Sequence, residues 1–156
     1  DLPISDTKGQ VSLRQMDDNK WLDTVTKPDK SAQRTILYVE DNPANLSLME
    51  KIVGRLPGFT LISAHTAELG LDIARQHVPE IIILDINLPG MDGYDALERL
   101  KRYEETRDIP VIAISSNAMP VSVRKGLDAG FLDYLTKPIN ISTLLEALEN
   151  ASNVDR

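Results

Sequence analysis

Five short apolar runs, at residues 36–39, 59–64, 81–84, 111–114 and 131–135, constrain this chain more than any other feature. Ile81-Ile82-Ile83-Leu84 and Val111-Ile112-Ala113-Ile114 do not alternate with polar residues, so both faces of each run need covering. Parallel strands between two helical layers meet that need. Thr60-Leu61-Ile62-Ser63 is more mixed and suits an edge strand. The longer stretches between the runs carry helical spacing. Leu46, Met49, Val53 and Leu56 share one face of a helix opened by Asn42-Pro43 and closed by Pro57-Gly58. Ala67, Leu71, Ala74 and Val78 make a second stripe, started by Thr66 and ended before Pro79. Tyr94, Leu97 and Leu100 belong to a third helix, Val123 and Leu127 to a fourth that stops at Gly130, and Ile141, Leu144, Leu145 and Leu148 to the last. The pattern predicts an α/β protein, a doubly wound (βα)5 parallel sheet whose right-handed crossovers put helices on both faces.

The length of 156 residues allows one such domain plus an extension. Residues 1–34 lack sustained period, and Thr26-Lys27-Pro28-Asp29-Lys30-Ser31 reads as linker, so 1–34 is expected to be a partly disordered linker or N-terminal extension. The wound domain should occupy 35–152, with 153–156 a tail. Six acids and six bases cancel within 1–34, which leaves the whole net charge of −7 on the domain. An acidic domain without a basic stripe argues against nucleic acid or membrane contact. The absence of cysteine excludes disulfides, thiolate catalysis and cysteine-bound zinc, and His65 and His77 are too few for a histidine-rich metal site. No apolar run approaches the roughly 20 residues that span a bilayer. The start at Asp1, without Met or a signal pattern, suggests a fragment of a cytoplasmic protein, whose parent could be membrane-anchored elsewhere.

In wound sheets the ligand site lies beyond the carboxyl ends of the strands. Glu40-Asp41 follow the first run, Asp85 the third, Ser115-Ser116 the fourth and Thr136-Lys137-Pro138 the fifth. Two carboxylates ~4 Å apart repel by roughly 4 kcal/mol at an effective dielectric near 20, and one ammonium does not balance three acids. A hard divalent cation suits these oxygens, and carboxylates with waters favour Mg²⁺. An Asp neutralised in this way can attack phosphorus and form an aspartyl phosphate. The cation, Lys137 and the Ser115 hydroxyl would then meet the phosphoryl charge.

Taken singly, each residue has a plainer explanation. Asp41-Asn42-Pro43 is a common helix start, and Asp85 could begin a turn. Lys137-Pro138 has a counterpart in linker residues Lys27-Pro28, while Tyr94 and Tyr134 read first as packing residues. The joint placement at one end of consecutive strands is what favours a site.

The motifs Ile36-Leu37-Tyr38-Val39-Glu40-Asp41-Asn42, Leu84-Asp85-Ile86-Asn87-Leu88-Pro89-Gly90-Met91-Asp92-Gly93, Ile112-Ala113-Ile114-Ser115-Ser116-Asn117-Ala118-Met119 and Asp133-Tyr134-Leu135-Thr136-Lys137-Pro138-Ile139 closely resemble the response-regulator receiver family of two-component signalling. The matching stretch runs from Thr35 to Ala151. The resemblance implies a flavodoxin-like fold with strand order 2-1-3-4-5. It implies that Asp85 is the phosphoacceptor, and that Asp41, Asp85 and the backbone carbonyl of Asn87 bind Mg²⁺ with Glu40 acting through water. Ser115 would bind the phosphoryl group, Lys137 would pair with it, and Ser115 with Tyr134 would form the switch. Lys137-Pro138 would be cis. Ser115 stands where threonine is commoner and Ser116 where alanine is usual; neither removes a needed group.

The implied partners are a histidine kinase phosphodonor domain and a histidine phosphotransfer protein. Such a receiver catalyses only its own phosphorylation and dephosphorylation. A flavin-binding module is disfavoured because Glu40-Asp41 would repel a phosphate. A metal-dependent aspartyl phosphatase usually has a second acid two residues after its nucleophile, where this chain has Asn87. The neutral linker, and a faint likeness of Asp1-Leu2-Pro3 to the end of a kinase ATP-binding domain, favour the C-terminal receiver of a hybrid histidine kinase over a stand-alone regulator.

Overall fold

The computed structural model describes residues 33–154, so the expected extension, but for Gln33 and Arg34, and the end of the tail lie outside the described residues. The strands are β1 (Arg34–Val39), β2 (Phe59–Ala64), β3 (Ile81–Asp85), β4 (Val111–Ser115) and β5 (Asp133–Thr136). Between and after them run α1 (Pro43–Val53), α2 (Ala67–His77), α3 (Gly93–Arg102), α4 (Pro120–Ala129) and α5 (Ile141–Ser152). All neighbouring strands pair in parallel, in the order β2-β1-β3-β4-β5. The mixed β2 is an edge strand as its composition predicts, and the order is the one the resemblance implies. Every residue of β3 and β4 is buried. Burying each Ile or Leu there contributes about 1.5–3 kcal/mol, which accounts for the run of Ile81, Ile82, Ile83 and Leu84.

Two cores flank the sheet. Leu37, Val39, Ile82, Leu84 and Ala113 point to one, under α2 and α3; Ile36, Tyr38, Ile81, Ile83, Ile112 and Ile114 point to the other, under α1 and α5. That split is the period of 2 of a strand, and it fixes which strand residues share a face.

The sequence expectation needs five local corrections. The helix expected to carry Leu56 and to close at Pro57-Gly58 ends at Val53 with Gly54 as its C-cap, so Leu56 lies beyond it. Arg34 already belongs to β1 and pairs with Phe59, so the strand starts inside the segment assigned to the linker. Val78 is not on the buried stripe of α2: it is the C-cap residue, with φ 44°, and is 42 % exposed. The buried face of α5 is Leu144, Ala147, Leu148 and Ala151, while Ile141 and Leu145 face outward. Alanines lie on that face because the helix packs closely on the sheet, and a reading that weights large apolar side chains rotates the stripe the wrong way. Phe131 precedes β5 and is buried edge-on against Tyr94, with ring centroids 5.8 Å apart.

Caps hold the helix starts where the pattern put them. Asn42 accepts from the Ala44 and Asn45 N–H groups, Thr66 from Leu69 and Asn140 from Thr143. The Lys137-Pro138 peptide is cis, as the resemblance implies.

Candidate functional site

The carboxyl ends of β1, β3, β4 and β5 set the site. Glu40 N–H donates to the Ala64 carbonyl (2.9 Å), Ile86 N–H to Ile114 (3.0 Å) and Lys137 N–H to Ser115 (2.8 Å), so the ladders continue one step past the strands. These bonds hold Glu40, Asp85, Ser115 and Lys137 in register at one edge. Oxygens of Glu40, Asp41 and Asp85 lie within 4.8 Å of one another. Glu40 is fully buried, Asp85 is 3 % exposed and Asp41 is exposed.

Lys137 Nζ bridges the two buried acids, 3.0 Å from Glu40 Oε1 and 3.1 Å from Asp85 Oδ2. Glu40 is committed further. It accepts from the Tyr38 hydroxyl (2.9 Å) and from the Asn42 backbone N–H (3.1 Å). Burial pushes the Glu40 carboxyl up, but the hydrogen bonds from Lys137, Asn42 and Tyr38 outweigh it and hold the group below the usual glutamate range. Asp85 goes the other way. Its burial, with Glu40 adding like-charge repulsion, outweighs the Asn87 N–H and Lys137 and raises it. For Lys137, desolvation is overcome by its bonds to Glu40 and Asp85, so it stays firmly protonated. The carboxylates thus divide into a buried pair held by one ammonium and an uncommitted acid at the surface.

The loop after β3 turns tightly. Asn87 N–H donates to Asp85 Oδ1 (3.0 Å), and Gly93 N–H closes the loop on the Ile86 carbonyl (2.9 Å). A Cβ on Gly93 would lie 2.6 Å from Ile86 Cα and 2.8 Å from the Asp85 carbonyl oxygen, so only glycine fits beneath Asp85. On the other side of the site, buried Ser115 Oγ accepts from the Asn117 N–H (3.1 Å) and from Asn87 Nδ2 (3.3 Å). The Tyr134 hydroxyl donates to the Asn117 carbonyl (2.7 Å), and its ring packs so close to α4 that a Cβ on Gly126 would be 2.7 Å from it.

Every site residue expected from the sequence is therefore at this edge, and the side chains of His65 and His77 are exposed. Sequence reasoning missed Tyr38, the Asn87 side chain, Asn117, Gly93 and Gly126. Tyr38 carried a signal, since strand residues i and i+2 share a face and Tyr38 lies two before Glu40. The Asn87 side chain on Ser115, the Tyr134 hydroxyl on Asn117 and the close packing at Gly126 depend on approaches between separate elements and carried none.

Hard oxygen donors around an open edge suit a small divalent cation such as Mg²⁺. Beside them stand a raised carboxylate, a shared ammonium and a hydroxyl. This set can hold a cation and place a phosphoryl group on Asp85.

Comparisons with known proteins point the same way. The model for the response regulator receiver domain matches residues 36–149. The polar-differentiation response regulator DivK of Brucella ovis is 32 % identical over 117 residues, covering 75 % of this chain and 94 % of DivK. The receiver domain of the sensor histidine kinase PA1611 from Pseudomonas aeruginosa PAO1, whose crystal structure has a magnesium ion coordinated in the active-site cleft, superposes with a TM-score of 0.72. It is 31 % identical, and the match covers 79 % of this chain and all of that one. The N-terminal domain of a response regulator receiver protein from Methanoculleus marisnigri JR1 is also 31 % identical, with a TM-score of 0.61, over 78 % of this chain and 98 % of that domain.

Proposed function

The chain belongs to the response regulator receiver family, and from that premise we propose that Asp85 takes a phosphoryl group from a phosphohistidine in a Mg²⁺-dependent reaction and thereby switches the domain surface. The observation that carries this is the pairing of Lys137 Nζ with both Asp85 and Glu40 beside the exposed Asp41. Asp41, Asp85 and the Asn87 carbonyl would hold Mg²⁺, with Glu40 acting through water. The cation supplies charge neutralisation for the phosphoryl oxygens.

The residues of this chain do the rest. An Asp85 carboxylate oxygen attacks phosphorus, its O–P bond forming as the N–P bond of the phosphohistidine breaks and the imidazole leaves. Lys137 already lies 3.1 Å from that carboxylate and meets a phosphoryl oxygen with little movement. Buried Ser115, one residue past the Ile114 that pairs with Asp85, would donate its hydroxyl to the phosphoryl group. A phosphoryl group of charge near −2 then biases the Ser115 and Tyr134 pair through contacts made better in one state.

In the reading we favour, residues 34–152 form the C-terminal receiver of a hybrid histidine kinase that works in the cytoplasm, and a stand-alone regulator is the alternative. The kinase origin of the Pseudomonas receiver supports this reading. Among the described residues no helix is long and apolar enough to cross a membrane. The partners would be a histidine kinase phosphodonor domain or a histidine phosphotransfer protein.

Incubation with Mg²⁺ and acetyl phosphate should add one phosphate by intact mass, and Asp85→Asn or EDTA should abolish it. Labelling that survives in Asp85→Asn overturns the assignment. Steady turnover of added phosphoesters would replace it with an aspartyl phosphatase.

A further inference from the structure

The hydroxyl of Ser115 is only 2 % exposed as part of its residue, and both hydrogen bonds it makes are bonds it accepts. One comes from the Asn117 backbone N–H at 3.1 Å, the other from the Asn87 side-chain Nδ2 at 3.3 Å. A serine oxygen has two lone pairs and one proton. With both lone pairs taken by donors, the proton is what the hydroxyl has left to offer. Among the described residues no acceptor takes it. Ser115 ends β4 next to β3, where Asp85 pairs with Ile114. Asn87 links the two residues, its backbone N–H on Asp85 Oδ1 and its side-chain amide on Ser115 Oγ.

The two donors are not equivalent. Asn117 is held from other directions, because its carbonyl accepts from Tyr134 (2.7 Å) and its side-chain Oδ1 accepts from Met119 N–H (3.0 Å). It is pinned in place and has no freedom to take over a second lone pair. The second donor is the Asn87 amide alone. Its backbone N–H is separately used on Asp85 Oδ1 (3.0 Å), which fixes the loop that presents the amide.

We infer that the Asn87 side chain is a positioning residue: it occupies the second lone pair of Ser115 and so fixes that hydroxyl as a proton donor to the phosphoryl group on Asp85. This role is distinct from the metal contact of the Asn87 backbone carbonyl. It rests on the reading of Asp85 as phosphoacceptor. A carboxylate at position 87 would have the opposite effect, since it accepts the Ser115 proton and turns it away from Asp85.

The test is a double-mutant cycle on the whole chain with Asn87→Ala, Ser115→Ala and both together. The readouts are affinity for beryllofluoride in saturating Mg²⁺, affinity for Mg²⁺ alone, and melting temperature. Losing one oriented hydrogen bond should weaken beryllofluoride binding by about 2- to 10-fold in Asn87→Ala. The double variant should be no weaker than Ser115→Ala, because Asn87 has nothing left to orient. Mg²⁺ affinity alone should move less than beryllofluoride affinity, as the backbone carbonyl survives. Additive losses in the double variant, or wild-type beryllofluoride affinity in Asn87→Ala, overturn the inference. If acetyl phosphate labels Asp85 in every variant and the losses add, only the orienting role fails. If the wild-type chain takes no phosphate, the proposed function fails and this inference with it.

Discussion

Replacing Lys137 with Met removes the ammonium shared by two buried carboxylates. Glu40 is 0 % exposed and Asp85 3 %, so water cannot take over that role. Their oxygens lie within 4.8 Å, which at an effective dielectric near 20 corresponds to repulsion of about 3.5 kcal/mol. The variant has one escape, which is to bind a proton at Asp85. Starting from the ordinary value of 3.8, holding that proton at pH 7 costs about 4.4 kcal/mol. The repulsion and the escape route bracket the loss at about 3.5–4.4 kcal/mol, within the roughly 3–5 found when one partner of a buried ion pair is removed. Against a domain stability of about 5–15 kcal/mol that is a large fraction. Urea unfolding followed by circular dichroism, in EDTA at pH 7, would measure it. Two dependences identify the cause. No ammonium competes for Glu40 and Asp85 in the variant, so it should bind Mg²⁺ more tightly than wild type, and at one Mg²⁺ concentration the gap to wild type should narrow by about 1.4 kcal/mol for each tenfold difference in Kd. Without the ammonium the folded carboxylates titrate above their unfolded values, so the native state binds protons the unfolded chain does not. The gap to wild type should then shrink as pH falls from 7 to 4.5. A loss below about 1 kcal/mol at pH 7 in EDTA refutes the reasoning. So does a loss that is the same with Mg²⁺ and at both pH values.

Tyr38→Phe should cost about 1.5–3 kcal/mol by urea unfolding, because it removes a buried hydroxyl bonded to the charged Glu40. Glu40 is held below 4.5, so its contribution is present above that pH and lost as pH falls through the lower folded value; Tyr38→Phe should make this acid loss shallower. Asp41→Ala should weaken Mg²⁺ binding by calorimetry more than Glu40→Gln does, since Asp41 is exposed while Glu40 is occupied by Tyr38, Asn42 and Lys137. Equal, wild-type affinity in both would refute the site. Gly93→Ala should cost about 1–3 kcal/mol and slow phosphorylation, because its Cβ meets the backbone of Ile86 and Asp85. An unchanged melting temperature and labelling rate would show that the loop yields freely.

Periodicity alone determined the wound sheet. Runs such as Ile81-Ile82-Ile83-Leu84 and Val111-Ile112-Ala113-Ile114 can be satisfied only where both faces are covered, and two of these among five short apolar runs alternating with helical stretches leave few other arrangements. The identity of the residue after each run then placed Glu40, Asp41, Asp85, Ser115 and Lys137 at one edge, because parallel strands all end on the same side. The motif resemblance supplied the strand order and the roles. Tertiary structure alone decided which of these groups touch. Lys137 and Asp85 are 52 positions apart, and their 3.1 Å contact depends on the register of two ladders. The same holds for the Asn87 amide on Ser115, 28 positions away. It also decided which way α5 faces, burying Ala147 and Ala151 in place of Ile141 and Leu145, and that Val78 caps α2. Sequence spacing reports where a residue lies on its own strand or helix. How far that element is rotated and shifted against its neighbours is settled by packing, which no single segment contains.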